Sequence, residues 1–441
     1  MLIFGNKENK NIPNKNLCYN FCEVVKIKIY LCIDLKTFYA SVECVERSLD
    51  PFKTDLVVAD ISRNKGAICL AISLKMKKRG IKNRCRIYEI PKNINVIVAK
   101  PRMKKYIEYS AKIYGIYLKF VDKEDIHVYS IDEAFLDVSS YLKFYNMSAF
   151  ELAKRIINEI LKETGITAVC GIGTNMYLAK IALDIKAKHN KDNIAFLNEE
   201  LYKKELWYHE PLTDFWQIGP GIENRLKKYH IRNMYDIAHT EEKKLYKEFG
   251  INARLLIDHS KGIEPVTIKE IKNYKPKSKS ISNSQILFKD YNYKDARNVL
   301  IEMLDSLILE LINKNLYTSS ISIYIGYSKD IYPPLKVSKK LELTNNFNTI
   351  LKEILPEYDY RINEKISIRR IGVTLNNVQR KNHEQLSIFV NEENKKEEDL
   401  YKTIKKLQNT FGKNIILRAV SYEENSVQKI RNKLIGGHNA E

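Results

Sequence analysis

Residues 129–138 read YSIDEAFLDV, and the adjacent acids Asp132 and Glu133 interrupt a run whose other members, Ile131, Ala134, Phe135, Leu136 and Val138, suit a buried strand. On a flat strand, neighbouring side chains point to opposite faces, so one carboxylate would be driven toward the core, where an unpaired charge is costly. Two arrangements relieve that charge. In a tight turn, Ser130, Asp132 and Glu133 hydrogen-bond to their own backbone at a hairpin tip. Alternatively a cation binds between strands, which calls for a third acid. Asp34 supplies it, closing the apolar run KIKIYLCID at 26–34. If that strand lies beside the 130–138 hairpin, Asp34, Asp132 and Glu133 converge on one sheet edge. Hard oxygen ligands without His or Cys select Mg²⁺, with Mn²⁺ as the alternative, over zinc. Two such ions about 3.5–4 Å apart activate a hydroxyl and neutralise a leaving pyrophosphate in an in-line displacement. Asp132 would bridge the ions, and Glu133, displaced by a turn or bulge, would reach the one beside the attacking hydroxyl.

The elements that must carry these acids follow from periodicity. After the 26–34 strand, LKTFYASVECVERSL places Phe38, Tyr39, Val42, Val45 and Leu49 at helical spacing. Residues 53–105 form a strongly basic insertion in which DLVVAD and GAICLAIS read as strands. An amphipathic helix over 103–121 leads to the hairpin, then come a helix around SAFELAKRIINEILKETG, a buried strand TAVCGIG and a helix NMYLAKIALDIKAK. This order predicts a split βαβ sheet covered on one face by helices, an α+β plan. A helical unit runs from Glu205 to about Gly262, and EPVTIKEIKNYKPKSKSISNS reads as a basic tether. SNSQILF, a long helix over 293–314, SSISIYIGYS, KKLELT and SIRRIGVTLNNV predict a second α+β domain, followed by a tail with a helix at EEDLYKTIKKLQNTFG.

The 441 residues carry 74 Lys+Arg against 54 Asp+Glu, a formal charge of +20, which points to a polyanionic partner. No run of 18 or more apolar residues is present, so nucleic acid is favoured over a membrane. The seven cysteines lie at 18, 22, 32, 44, 69, 85 and 170 without a CxxC pair, which fits a reducing compartment and argues against a zinc site. The N-terminus lacks a basic start followed by an apolar segment, so a cytoplasmic protein is expected, with residues 1–25 a disordered polar extension.

DLKTFYASVE (34–43), YSIDEAFLDV (129–138) and CGIGTNMYLAKIALD (170–184), in that order, resemble three successive catalytic motifs of Y-family translesion DNA polymerases, the UmuC and DinB group. QIGPGI (217–222) resembles that family's thumb hairpin, and RNKLIGGH (431–438) is similar to the C-terminus of Gram-positive UmuC-like members. The resemblance covers roughly residues 26–441. It implies a right-hand polymerase: palm at 26–45 and 106–204, fingers at 46–105, thumb at 205–265, linker at 266–279, little finger at 280–380 and a tail at 381–441. It makes Asp34, Asp132 and Glu133 the metal-binding acids, with the backbone carbonyl of Leu35 a further ligand. Phe38 would pack under the sugar and triphosphate of a deoxynucleoside triphosphate. Tyr39 would be the steric gate, a ring leaving no room for a ribose 2′-hydroxyl. Ordinary helix-face packing is the competing reading for both. Lys180 matches a triphosphate-holding lysine, against a solvated helix lysine. Where many relatives place Tyr and Arg on the fingers, AISLKMKKRG puts Ser73 and Lys77, and lysine makes no planar bidentate clamp on phosphate.

For primer-template DNA, Gly219 and Gly221 around Pro220 would form a hairpin whose N–H groups face phosphate, with Lys227 and Lys228 beside it, or else a simple helix-turn. Lys277, Lys279, Arg369 and Arg370 would line the little finger, unless they are a solvated basic face. QLSIF at 385–389 resembles the Q-L-x-[L/I]-F peptide by which bacterial polymerases dock on the sliding clamp, with Gln385 at the pocket rim and Leu386 and Phe389 in apolar subsites. A short core strand is the alternative. The resemblance leaves open a UmuD-like accessory partner. Two other functions compete: a catalytically idle DNA-binding scaffold, against which the intact acids count, and a palm-like nucleotide cyclase, which would need neither thumb nor basic tether.

Overall fold

The apolar run before Asp34 folds as β1 (Tyr30–Leu35) in a computed structural model that describes residues 28–63, 66–330, 332–380 and 392–441. The expected N-terminal extension and the QLSIF segment lie outside the described residues. Leu31, Cys32 and Ile33 are all fully buried, so β1 has no wet face. The basic insertion forms its own small sheet from β2 (Leu56–Val58), β3 (Ala71–Ile72) and β4 (Ile97–Ala99), in the order β3-β2-β4, around a compact core that includes Val57, Cys69, Met76 and Cys85. The strand expected over GAICLAIS shrinks to two residues. β5 (Ile126–Val128), β6 (Glu133–Asp137), β7 (Ala168–Gly173) and β8 (Ile194–Leu197) join β1 in the order β5-β6-β1-β7-β8. β1 is central and antiparallel to both neighbours.

Gly171 and Gly173 decide how closely the next helix approaches β7. A Cβ on Gly171 would stand 2.0 Å from the Ala179 carbonyl oxygen, and one on Gly173 would stand 2.2 Å from the Ala179 nitrogen. Only bare backbone lets the helix Met176–Ile181 lie this close to the sheet. It shares a core with Tyr30, Cys32 and Phe135 on one side and with Phe215, Leu226, Met234 and Leu256 of the following helices on the other. The tether predicted at 266–279 is not wholly extended. Residues Ile268–Asn273 form a helix begun by a Thr267/Glu270 capping box, and Lys272 pairs with Glu124 at 3.4 Å.

The first unit ends at Tyr274 and the second spans Lys275–Ala440. In the second, β9 (Ile281–Tyr291), β10 (Thr318–Tyr327), β11 (Leu335–Thr344) and β12 (Ile368–Asn376) pair in the order β11-β10-β12-β9, and the helix Tyr293–Asn313 packs on them. The sequence reading missed the helix Phe347–Arg361, whose pattern is broken by an internal Pro356. It also separated the tail from the domain, whereas the tail belongs to its core. Tyr401, on the helix Glu392–Phe411, and Val427 are buried in that core, and the Arg418 guanidinium lies 3.6 Å from the Phe347 ring centroid.

After β1 the chain turns through Thr37 in the left-handed region, at φ 48°, into the helix Phe38–Val45. The turn is held by Ser41 Oγ, which donates to the Lys36 carbonyl at 2.8 Å. The helix is fixed by the fully buried Glu43, which accepts from Arg102 Nε at 3.0 Å, Arg102 Nη2 at 2.9 Å and the Tyr106 hydroxyl at 2.8 Å. Burial pushes the Glu43 carboxyl up, but hydrogen bonds from Arg102, Arg47 and Tyr106 outweigh it and hold the group below the usual carboxylate range.

Two stability measurements check these contacts. Gly171→Ala is expected to cost about 3 kcal/mol or more in denaturant unfolding, because the obstacle is helix backbone rather than a side chain that can turn away; a cost under about 1 kcal/mol contradicts the close approach. Glu43→Gln should cost about 1–3 kcal/mol near neutral pH. A depressed carboxyl stabilises above its unfolded pKa and loses that contribution as pH falls through the folded pKa, so the gap between wild type and variant should close below about pH 4. A gap that persists under acid rules out the ionised anchor.

Candidate active site

Asp34 and Glu133 are direct cross-strand partners on β1 and β6, so their side chains share one face of the sheet. Asp132 immediately precedes Glu133, in the bend Ser130–Asp132, its carbonyl accepting from the Leu35 N–H at 2.9 Å and its Oδ1 from Ser130 Oγ at 2.6 Å. The turn-capping and the acid edge, posed as alternatives by the sequence, are therefore one structure. The turn consumes one acid's geometry and places both acids beside Asp34. Leu35, the last residue of β1, is buried at this edge.

The charge that these acids bring is met by two lysines from the segment that the β7 glycines admit. Lys180 Nζ stands 2.8 Å from Glu133 Oε2, and Lys188 Nζ stands 2.9 Å from Asp34 Oδ2. Asp184 lies between them, 3.0 Å from Lys180 and 2.7 Å from Lys188. The three residues share one side of the segment at four-residue spacing, and along it the helix capped by Asn175 gives way to a π turn at Ala182–Lys186 and a 3₁₀ turn at Ala187–His189. Glu133 also accepts from the Cys32 thiol at 3.2 Å. Burial raises the Asp34 and Glu133 carboxyls, opposed by Lys188 and Lys180 respectively. Burial works to lower both lysines too, yet Asp184 and Glu133 beside Lys180, and Asp34 and Asp184 beside Lys188, hold them above the usual range. Sequence reasoning missed Asp184 and Lys188. The signal was there in the four-residue spacing of Lys180, Asp184 and Lys188.

Phe38 is buried, and the Tyr39 ring stacks on Tyr106 with centroids 4.4 Å apart and planes at 17°. The Tyr39 hydroxyl is raised by burial and then by Asp132, which puts the ring next to the acids. Lys77 is lowered by burial, with Asp34 pulling the other way, so this ammonium also feels the acid edge. Ser73 does not join them. It is fully buried, and its hydroxyl donates to the Thr54 carbonyl at 2.7 Å while capping the helix Leu74–Lys78, so it supports the small sheet instead of reaching a nucleotide.

Among the described residues, no three Asp, Glu, His or Cys side chains close into a metal-holding cluster. The donor chemistry nevertheless suits a hard cation: an all-carboxylate edge, largely buried, whose charge is balanced by ammonium groups on flexible stems.

The residues expected to hold DNA are placed unevenly. Gly219 and Gly221 do not make the hairpin's left-handed turn. Gln217 does, at φ 70°, while Gly219 caps the helix Pro220–Lys227 with Pro220 in its first turn. Space for a Cβ is open at both glycines, and Lys227 pairs with Glu223 at 2.8 Å. In the second unit, Lys277 and Lys279 are exposed, Arg369 approaches Asp290 at 3.5 Å, and Arg370 lies 6.0 Å over the Tyr324 ring. The register shows more than the sequence did. Ser322 faces Ser338 and Thr374, Tyr324 faces Lys336, and Ser320 faces Lys340, while Ile321, Ile323, Ile371 and Val373 fill the core. One face of this sheet is thus hydroxyl-rich and basic.

The chain matches the impB/mucB/samB family over residues 33–184 and that family's C-terminal domain over 278–388. It is 32% identical to the putative UV-damage repair protein UvrX of Bacillus subtilis, over 93% of this chain and 97% of that protein. It is 28% identical to DNA polymerase IV 2 of the same organism, over 94% of this chain and 100% of the relative. A solved Y-family DNA polymerase chimera superposes with a TM-score of 0.63 at 25% identity, covering 80% of this chain and 100% of the chimera. Asp34, Asp132, Glu133, Lys180 and Asp184 all fall inside the first matched stretch. With the acid edge on a central strand, a basic second sheet and these likenesses, the chain belongs to the impB/mucB/samB family and has the Y-family DNA polymerase fold.

Proposed function

We propose that the chain is a translesion DNA-directed DNA polymerase, copying past damaged template bases by nucleotidyl transfer. The observation that supports this most directly is Asp34 opposite Glu133 at the end of the central strand, with Lys180 and Lys188 on the same edge. Relatives named DNA polymerase IV support the same activity, and family membership brings divalent-metal dependence with it. Asp34, Asp132, Glu133 and the Leu35 carbonyl are the residues that would hold Mg²⁺ or Mn²⁺. Bound there, such ions supply the charge that activates a primer 3′-hydroxyl and neutralises pyrophosphate.

The chain's own residues do the rest. Lys180, Lys188 and Lys77 offer point charges to a triphosphate, a role that needs reach more than planarity. Phe38 and Tyr39 wall the sugar, Tyr39 held in place by its stack on Tyr106. The palm, fingers and thumb take up residues to Tyr274, and the little finger runs on through the tail, since Tyr401 and Val427 are part of its core. Its Ser, Lys and Arg face suits a duplex backbone, which is gripped through phosphates without sequence readout. QLSIF would tether this weakly gripping enzyme to a sliding clamp, raising its effective concentration at the primer end.

Primer extension with Mg²⁺ on an abasic template tests the reading. Wild type should extend, and Asp132→Ala or Glu133→Ala should abolish addition while primer-template affinity survives, because that affinity comes mostly from phosphate contacts. Near wild-type rates in either variant defeat the assignment. In the same assay, Tyr39→Ala should admit ribonucleotides. Leu386→Ala with Phe389→Ala should keep basal synthesis but lose stimulation by a loaded clamp; stimulation that persists moves the tether elsewhere.

A further inference from the structure

Lys180 and Lys188 each bridge two carboxylates, and one of the two is in both cases Asp184. Lys180 stands between Glu133 at 2.8 Å and Asp184 at 3.0 Å, and Lys188 between Asp34 at 2.9 Å and Asp184 at 2.7 Å. We infer that Asp184 is a positioning residue that receives the Lys180 and Lys188 ammoniums when divalent cations displace them from Glu133 and Asp34.

The reason is the cost of an orphaned charge. A cation arriving at Glu133 or Asp34 must push an ammonium aside. The Lys180 side chain is only 9% exposed, so an ammonium left there without a partner is poorly compensated by water. Asp184 removes that penalty, because the lysine already holds a second acceptor and need only loosen its grip on the first. The four-residue spacing of Lys180, Asp184 and Lys188 is what makes this possible. It brings one carboxylate within reach of a lysine four residues before it and of another four residues after it, and a π turn spans this stretch. Asp184 is joined to Glu133 and Asp34 through Lys180 and Lys188, so it acts through the lysines. The inference rests on the reading of Asp34, Asp132 and Glu133 as cation-holding acids.

The test is a Mn²⁺ titration of the full chain, free ion followed by electron paramagnetic resonance, with no DNA or nucleotide present. Asp184→Asn should weaken Mn²⁺ binding by about tenfold, the order expected for losing one hydrogen bond to a charged group. Asp184→Glu, which keeps the acceptor, should stay near wild type. In a Lys180→Met/Lys188→Met background there is no ammonium to receive, so adding Asp184→Asn should change the affinity by about twofold or less. An equal loss in both backgrounds means that Asp184 acts only as a diffuse negative charge, and no loss in either means that it is structural; both results overturn the proposal. If Asp34→Asn leaves wild-type Mn²⁺ affinity unchanged, the acid assignment itself fails and the role of Asp184 falls with it.

Discussion

Two carboxylates facing each other across the central strands of a sheet are a standing electrostatic liability, and much of the first unit is arranged to answer it. Burial raises the Asp34 and Glu133 carboxyls, and Lys188 and Lys180 oppose that rise. They stay useful as anions because cations are delivered to them. In the chain itself those cations are lysines. The delivery depends on a strand, β7, that gives up two side chains so that a helix can lie almost on its backbone. The usual order of priorities in a core is reversed here: packing volume is surrendered at Gly171 and Gly173 to bring charge to an edge.

The same logic separates the two sides of the acid edge. On one side, ammonium groups on four-carbon stems can swing between partners. On the other, the helix Phe38–Val45 is held rigidly, since Glu43 binds Arg102 through two nitrogens and also takes the Tyr106 hydroxyl. Tyr106 in turn supports Tyr39. In the proposed function the rigid side would wall the sugar and the ammonium side would face the triphosphate.

The chemistry was more legible in the sequence than the scaffold was. The acids announced themselves because carboxylates in an apolar run have no cheap explanation, and Asp34, Asp132 and Glu133 do lie together. Strands with clean alternation, such as SSISIYIGYS and SIRRIGVTLNNV, were also readable, and both are strands of the second sheet. What was hidden depended on long-range contact. Ser73 looked like a fingers ligand until its hydroxyl was seen to be spent on a helix cap and a carbonyl. Gly219 and Gly221 drew attention away from Gln217, which carries the left-handed turn. The tail looked detachable because its own sequence is polar, yet Tyr401 reaches the core from it. Asp184 and Lys188 were overlooked because their four-residue spacing shows that they meet each other but not that Lys188 reaches Asp34, a contact made across the fold.

The change of pitch along this segment has a consequence for how such a site can vary. A regular helix advances by about 100° per residue, so its side chains are read in a fixed angular frame. The π turn at Ala182–Lys186 holds an extra residue's worth of that frame within one turn. Losing a single residue there would rephase every side chain downstream while leaving Lys180 untouched upstream. Lys188 would rotate away from Asp34, and a different neighbour would take its bearing, with no strand of the sheet disturbed. The segment therefore works as a phase adjuster: a one-residue insertion or deletion can exchange the group that addresses Asp34 without a substitution at any acid, which is a shorter evolutionary step than rebuilding the edge itself.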